Sequence, residues 1–285
     1  MVKIVADTTA GLPIDTYKKL NIALIPQIVC FGEDSYRDDT EIDTATFIQK
    51  LKASHELPKT AAPPPMLYYP IFEQALKAAE EVVVVAPSAK VSGTVRSAES
   101  AAQDFPDLKV HVVDSLTVAG NLASLVLLAQ EWAGQGTPAG EIVRRLHEWI
   151  PRGRIFFLVD TLEYLQKGGR IGGAKALLGE MLQIKPILCL KEGQVEPFEQ
   201  QRTKRRALAR LLEVVQEKCP KDSQAHLCVM QADAPQEAIS LAAELKAKMN
   251  LTDIPIYEMP PAIVTHGGPG ILAIGFFEAQ NTPMV

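Results

Sequence analysis

A chain of 285 residues with 47% hydrophobic and 22% charged residues has room for one large or two ordinary domains, each with a proper core. Its formal net charge of −5 argues against a nucleic-acid binder driven by backbone phosphates, so no nucleic-acid partner is expected. No apolar run reaches the roughly 18 residues needed to span a bilayer. Lys3-Ile4-Val5-Ala6 reads as a strand rather than a targeting segment, and a cytoplasmic protein is expected.

In the first half, short β-branched runs predict strands at Lys3–Ala6, Ile22–Cys30, Val82–Ala86 and Val110–Val113. Helical stretches fall between them at Thr44–Ala53, near Met66–Ala79, at Ser92–Gln103 and at Leu116–Gly134. This alternation implies a parallel sheet with helices on both faces, and ligand sites where strands end and helices begin. Ala61-Ala62-Pro63-Pro64-Pro65 fits a helix start with proline in the first turn. After a helical stretch ending at Ile150, Pro151-Arg152-Gly153 marks a junction. An N-terminal α/β domain over residues 1–153 and a C-terminal α/β domain over 154–285 are expected.

The second half is mixed, with strands at Ile155–Val159, Pro186–Leu190, Ala225–Gln231, Ile254–Glu258 and Ile271–Phe277. Thr203–Glu217 and Pro235–Lys248 read as amphipathic helices. The run Thr161–Leu188 is unusual. A short apolar helical segment stops at Lys167-Gly168-Gly169-Arg170, Gly172 and Gly173 follow, and a second apolar helix leads to a strand opened by Lys185-Pro186. Glycines at this density allow positive φ and the close approach of another group. With Lys167, Arg170 and Lys175 on it, the loop suits a ligand with an anionic head and an apolar body.

Other places could carry chemistry. The strand Val82–Ala86 leads to Ser92-Gly93-Thr94 at a helix start, which offers hydroxyls, free N–H groups and the positive end of a helix dipole to a carboxylate or phosphate. Ordinary capping by Ser92 would also account for it. Thr60 is either a turn hydroxyl or a further donor to the same anion. Asp7-Thr8-Thr9 lies at a strand's C-terminal edge, where Asp7 caps the next helix or fixes the turn. His266, in Thr265-His266-Gly267-Gly268-Pro269-Gly270, is expected on a shaped turn rather than a helix face, as an anion donor, a proton carrier or a structural residue. Arg202-Thr203-Lys204-Arg205-Arg206 puts cations at a helix start, against the macrodipole, which costs less if an anion is shared; a solvated charge run is the plain alternative.

Several chemistries lack a signature. The five histidines show no i, i+4 pair, and no cysteine or carboxylate stands at ligand spacing, so no metal site is expected. Ala174 stands where a P-loop would need lysine, and neither G-x-G-x-x-G nor G-x-S-x-G occurs in a suitable context. Cys30, Cys189 and Cys228 sit in apolar runs and read as inert core thiols.

Taken in order, these blocks resemble the DegV family of bacterial fatty-acid-binding proteins over nearly the whole chain. Asp7–Pro13 is similar to the family's D-S-T-A-D-L, Lys59-Thr60 to K-T-S-Q-P, Ser92-Gly93-Thr94 to L-S-G-T, and His266–Gly270 to T-H-x-G-P-G. Val113–Ser115, Thr161–Ile171, Ile184–Leu188 and Arg202–Lys204 fall on further blocks. The resemblance implies a two-domain α/β protein, with a Rossmann-like parallel-sheet domain, a mixed α/β domain and a fatty acid between them. It implies a carboxylate site at Thr60, Ser92 and His266, with Gly93 and Thr94 alongside, and phosphoryl handling or partner contact by Arg170 and Arg202.

The function so implied is non-catalytic. The protein would present a long-chain fatty acid such as palmitate, stearate or oleate to a separate ATP-dependent fatty acid kinase subunit. It would then carry the acyl phosphate toward phospholipid synthesis, with transient membrane or acyltransferase contact and no cofactor of its own. A lipid-responsive regulator, or a free-standing phosphotransferase or hydrolase using His266, stands as the alternative. The sequence departs from the family pattern at Ala61-Ala62, where Ser-Gln is usual, at Val91 for leucine, and at Gly267 for threonine or isoleucine.

Overall fold

The computed structural model describes residues 1–179 and 184–280. The strands are β1 (Val2–Asp7), β2 (Ala23–Ile25), β3 (Ile28–Phe31), β4 (Asp34–Arg37), β5 (Lys59–Ala61), β6 (Glu81–Ala86), β7 (Val110–Asp114), β8 (Gly153–Leu158), β9 (Lys185–Lys191), β10 (Gln194–Gln201), β11 (Cys228–Gln231), β12 (Ile256–Glu258) and β13 (Leu272–Phe277). The α-helices are α1 (Ile14–Lys19), α2 (Thr44–Ala53), α3 (Tyr69–Lys77), α4 (Thr94–Gln103), α5 (Ala119–Gly134), α6 (Ala139–Trp149), α7 (Glu163–Lys167), α8 (Lys204–Lys218), α9 (Pro235–Met249) and α10 (Pro261–Gly267).

Strands β2, β1, β6 and β7 form, in that order, the parallel sheet that the strand–helix alternation implies. Both faces are covered, so the central strands β1 and β6 bury consecutive residues, 4–7 and 82–86, rather than alternate ones. Ile4, Ala6, Val83 and Val85 pack with Leu122 and Leu125 of α5 and Ile142 and Leu146 of α6. Val5, Val82 and Val84 face the other way, onto Tyr68, Phe72 of α3 and Ala98 and Ala101 of α4.

The second sheet has the order β10-β9-β8-β13-β11-β12 and is antiparallel except for the β11–β12 pair. Period-2 alternation divides its side chains. Phe156, Leu158, Ile274 and Phe276 bury against α8 and α9. Ile155, Phe157, Leu188 and Ala273 face the other way, into a core shared with Val29 of β3, Phe47 of α2, Ala119 of α5 and Val264 of α10. Helix α5 lies between the two sheets, and its mixture of Ala119, Gly120, Asn121, Leu122 and Ala123 is buried on all sides.

The structure departs from the sequence expectations in particular places. The predicted strand Ile22–Cys30 is two strands in two sheets, because the chain breaks at Pro26-Gln27 and β3 joins β4 and β5 in a small antiparallel sheet. Strand β10 was hidden by its polar sequence QVEPFEQQ, which suits an edge strand where Pro197 sits beside a bulge. Past the glycines, the chain forms a 3₁₀ helix over Gly172–Leu177. Residues 180–183 of the predicted second apolar helix lie outside the described residues.

Gly172 has φ +51°, and a Cβ there would lie 2.0 Å from the backbone carbonyl oxygen of Val195, an atom that cannot swing aside. Gly134, at the exposed end of α5, has open space around it. Gly172→Ala is therefore expected to destabilise by about 2 kcal/mol or more, and Gly134→Ala to be neutral or slightly stabilising, as read by urea unfolding midpoints.

Candidate functional site

Between the inward face of the second sheet and the first domain lies a cavity of about 900 Å³, counting its open mouth. Most of its wall is apolar: Ile155, Phe157 and Ala273 come from the sheet, Leu190 and Val195 from β9 and β10, and Val118 and Ala119 from the start of α5. Ala262 and Ile263 of α10 and Ala62 add to it. The polar wall side chains are Thr9, Gln27, Thr60, Ser92, Arg170 and His266.

These polar residues are linked. Thr60 is on β5, and His266 is in the last turn of α10, which packs against β5 and β3. Their Oγ1 and Nε2 atoms lie 2.8 Å apart. His266 is thus on a helix, not on the turn expected from its glycines; the turn follows at Gly268, which has φ +78°. Its Nδ1 is buried without a partner. The tautomer that leaves Nδ1 bare makes Nε2–H the donor to Thr60, which frees the Thr60 hydroxyl proton for a ligand. Burial and the Arg170 charge push the imidazole down to about 4, so it is neutral near pH 7.

Gly168 explains one loop glycine. A Cβ there would lie 2.2 Å from His266 Nδ1, so the group that approaches the loop closely is the histidine ring. Arg170 follows at once. Its Nε donates to the Val91 carbonyl at 3.1 Å and its Nη1 to the Gly168 carbonyl at 2.6 Å. Partial burial lowers its pKa, and among the described residues it has no carboxylate partner. A desolvated cation held only by carbonyl oxygens favours an incoming anion. Arg170, Thr60 and His266 also line a polar surface groove with Lys59, Glu163 and Lys167, so they form the wall between cavity and exterior.

Ser92 and Gly93 bring the start of α4 to the cavity, and Gly93 keeps the backbone close to Ala62, whose Cβ would be 3.0 Å from a Cβ at 93. Thr94 does not reach the wall. It is buried behind Ser92, 2.9 Å from it, and its hydroxyl donates to Asp7 Oδ2 at 3.1 Å. Arg202 is exposed in the turn before α8 and lines neither the cavity nor the outer groove. Thr203, next to it, is the helix N-cap, its Oγ1 accepting from the Arg206 N–H.

The sequence gives Gln27 no role and offers Asp7 either capping of the helix after Pro13, which has no side-chain cap, or fixing of the turn. Asp7 does fix the turn, accepting from the Thr9 N–H at 3.0 Å, and it also accepts from Gln27 Nε2. The signal for Gln27 was Pro26, a strand breaker inside an apolar run. The cysteines are free; burial pushes Cys189 up to about 11 and Cys219 and Cys228 up to about 12. Among the described residues no helix is long and apolar enough to cross a membrane, and no three His, Cys, Asp or Glu side chains are placed to hold a metal.

A parallel-sheet domain and a mixed-sheet domain define a two-domain α/β protein with an apolar cavity, polar at one end, between its sheets. The chain belongs to the DegV family: the profile described as "Uncharacterised protein, DegV family" matches residues 1–279. A DegV domain-containing protein of Streptomyces coelicolor is 34% identical over 275 residues, covering 96% of this chain and 97% of that protein. Among solved structures, a DegV family protein from Thermus thermophilus, described as fatty acid binding, aligns with a TM-score of 0.89 at 31% identity over 98% of this chain and 99% of its own. DegV of Bacillus subtilis, described as a fatty acid binding protein, aligns with a TM-score of 0.86 at 31% identity, covering 97% and 99%.

The low imidazole pKa has a consequence for stability. A histidine whose folded pKa lies below 6.5 contributes stability that is complete above 6.5 and is lost as pH falls through about 4. His266→Gln should therefore lose less stability than the wild type between pH 7 and 4.5, by roughly 2 kcal/mol, when denaturant unfolding is compared at the two pH values.

Proposed function

We propose that this chain binds one long-chain fatty acid, such as palmitate, stearate or oleate, with its acyl chain in the cavity and its carboxylate at Thr60, Ser92, Gly93 and His266. The observation that carries this reading is the half-buried Arg170 guanidinium, without a carboxylate partner among the described residues, beside two hydroxyls at the polar end of a mostly apolar cavity. The fatty acids bound by the Thermus and Bacillus relatives support the same ligand class. Each buried CH₂ contributes about 0.8 kcal/mol, so a C16 chain gains on the order of 10 kcal/mol before the costs of association. That gain survives only if the carboxylate is fully hydrogen-bonded.

On this reading the protein is a non-catalytic carrier. It presents the head group through the groove that Arg170 borders to a separate ATP-dependent fatty acid kinase subunit, and carries the acyl phosphate onward. Arg170, facing both cavity and groove, suits a head group whose negative charge increases on phosphorylation. Exposed Arg202 suits partner contact rather than ligand contact.

Protein purified from a bacterial host is expected to release fatty acid detectable by mass spectrometry; protein that carries none and takes up neither oleate nor palmitate would refute the reading. Ser92→Ala and Thr60→Val are each expected to weaken oleate binding about tenfold, as for loss of one hydrogen bond to a charged group. Arg202→Ala should leave oleate affinity intact while reducing phosphorylation by the kinase subunit. Unchanged phosphorylation would remove Arg202 from the partner surface.

A further inference from the structure

We propose that Asp7 is a positioning residue that sets the direction of the Ser92 hydroxyl through Thr94, so that a carboxylate bound at Ser92 is accompanied by one proton taken up at Asp7. The inference rests on the fatty-acid reading and extends it to the layer behind the site.

The argument is a count of protons. Asp7 ends β1 and is 1% exposed. Its Oδ1 accepts from the backbone N–H and the hydroxyl of Thr9, and its Oδ2 accepts from Gln27 Nε2 and from the Thr94 hydroxyl. Gln27 Nε2 also donates to Thr94 Oγ1 at 2.8 Å. A hydroxyl has a single proton. Thr94 spends its own on Asp7, so the 2.9 Å contact between Ser92 and Thr94 is made with the Ser92 proton. Ser92 Oγ then turns only lone pairs toward the cavity, the wrong polarity for a carboxylate.

One proton on Asp7 Oδ2 reverses the line. Asp7 donates to Thr94, Thr94 donates to Ser92, and Ser92 donates to the ligand. Thr94 still accepts from Gln27, and no heavy atom has to move. Turning the Thr94 proton to Ser92 with Asp7 still ionised would instead leave the lone pairs of Thr94 Oγ1 and of a charged Asp7 Oδ2 facing each other at 3.1 Å, a repulsion that the added proton removes.

The surroundings allow the change. Tyr17 of α1 donates to the Asp7 backbone carbonyl, Tyr68 stands at the start of α3, and Asp38 faces Asp7 across Thr8 and Gln27. Among the described residues no cation pairs with Asp7. Burial without a cation raises Asp7 to about 6 and Asp38 to about 7. Asp38 bonds to the Thr8 hydroxyl and the Gln27 N–H, and its bonds do not lead to Ser92.

The test is calorimetry of delipidated full-length protein with oleate, in buffers of different ionisation enthalpy near pH 7.5. The wild type should take up about one proton per oleate, and its affinity should fall about tenfold per pH unit above pH ~6. Asp7→Asn carries a permanent donor toward Thr94, so uptake should drop to near zero and the pH slope should vanish. Thr94→Val cuts the line while leaving the other partners of Asp7 in place, and it should do the same if the Asn variant fails to fold. Uptake that persists in either folded variant would put the proton on the ligand, on Asp38 or on His266 and overturn the proposal. Oleate binding by the wild type without proton uptake overturns this inference alone; no oleate binding at all overturns the fatty-acid reading with it.

Discussion

The position of α5 between the two sheets fixes most of what this protein can do. A Cβ at Gly120 would lie 2.4 Å from Cys228 Sγ and 3.0 Å from Met230 Sδ, so the helix backbone is in direct contact with β11. The Gly120 N–H donates to Met230 Sδ at 3.0 Å, and Asn121 donates to the Arg154 carbonyl at 3.0 Å. One helix thus belongs to both cores, and its first residues, Val118 and Ala119, continue into the cavity wall. The separation of the sheets, and with it the width of the cavity, follows from the absence of a side chain at Gly120, where α5 meets β11.

The polar end is built differently. Its groups come from five separate stretches, at residues 7–9, 27, 60, 92–94 and 168–170, joined by His266. None of them is a full ionic pair. Burial makes His266 neutral, takes Arg170 partly from water with no acid beside it among the described residues, and raises Asp7 to about 6. Such a site is poised electrostatically rather than satisfied, and a ligand anion completes it.

Much of this was legible in the sequence. The strand–helix alternation of the first half follows from β-branched runs separated by amphipathic periods, and it is realised as the parallel sheet with helices on both faces. Ser92 could be nominated from its helix start, Thr60 from the stretch before the prolines and His266 from its glycine-rich turn, the family resemblance joins the three, and they line one cavity. Direction was not legible. Ser92 and Thr94 are two residues apart at a helix start, and only the fold reveals that one faces the cavity and the other faces Asp7. The contact of Gly168 with His266 was equally hidden, since glycine composition signals that something approaches but not what. The role of Gln27 depends on a chain break that puts neighbouring residues into different sheets, a tertiary decision that local propensity does not encode.

Arg170 shares a wall with both the interior and the outer groove, which makes the state of the cavity legible from outside. On the proposed fatty-acid reading, a carboxylate beneath Arg170 would offset its charge at the groove floor and a phosphoryl group would reverse it. A partner resting on the groove would then sort empty, loaded and modified carriers by local potential alone, without the polypeptide changing shape.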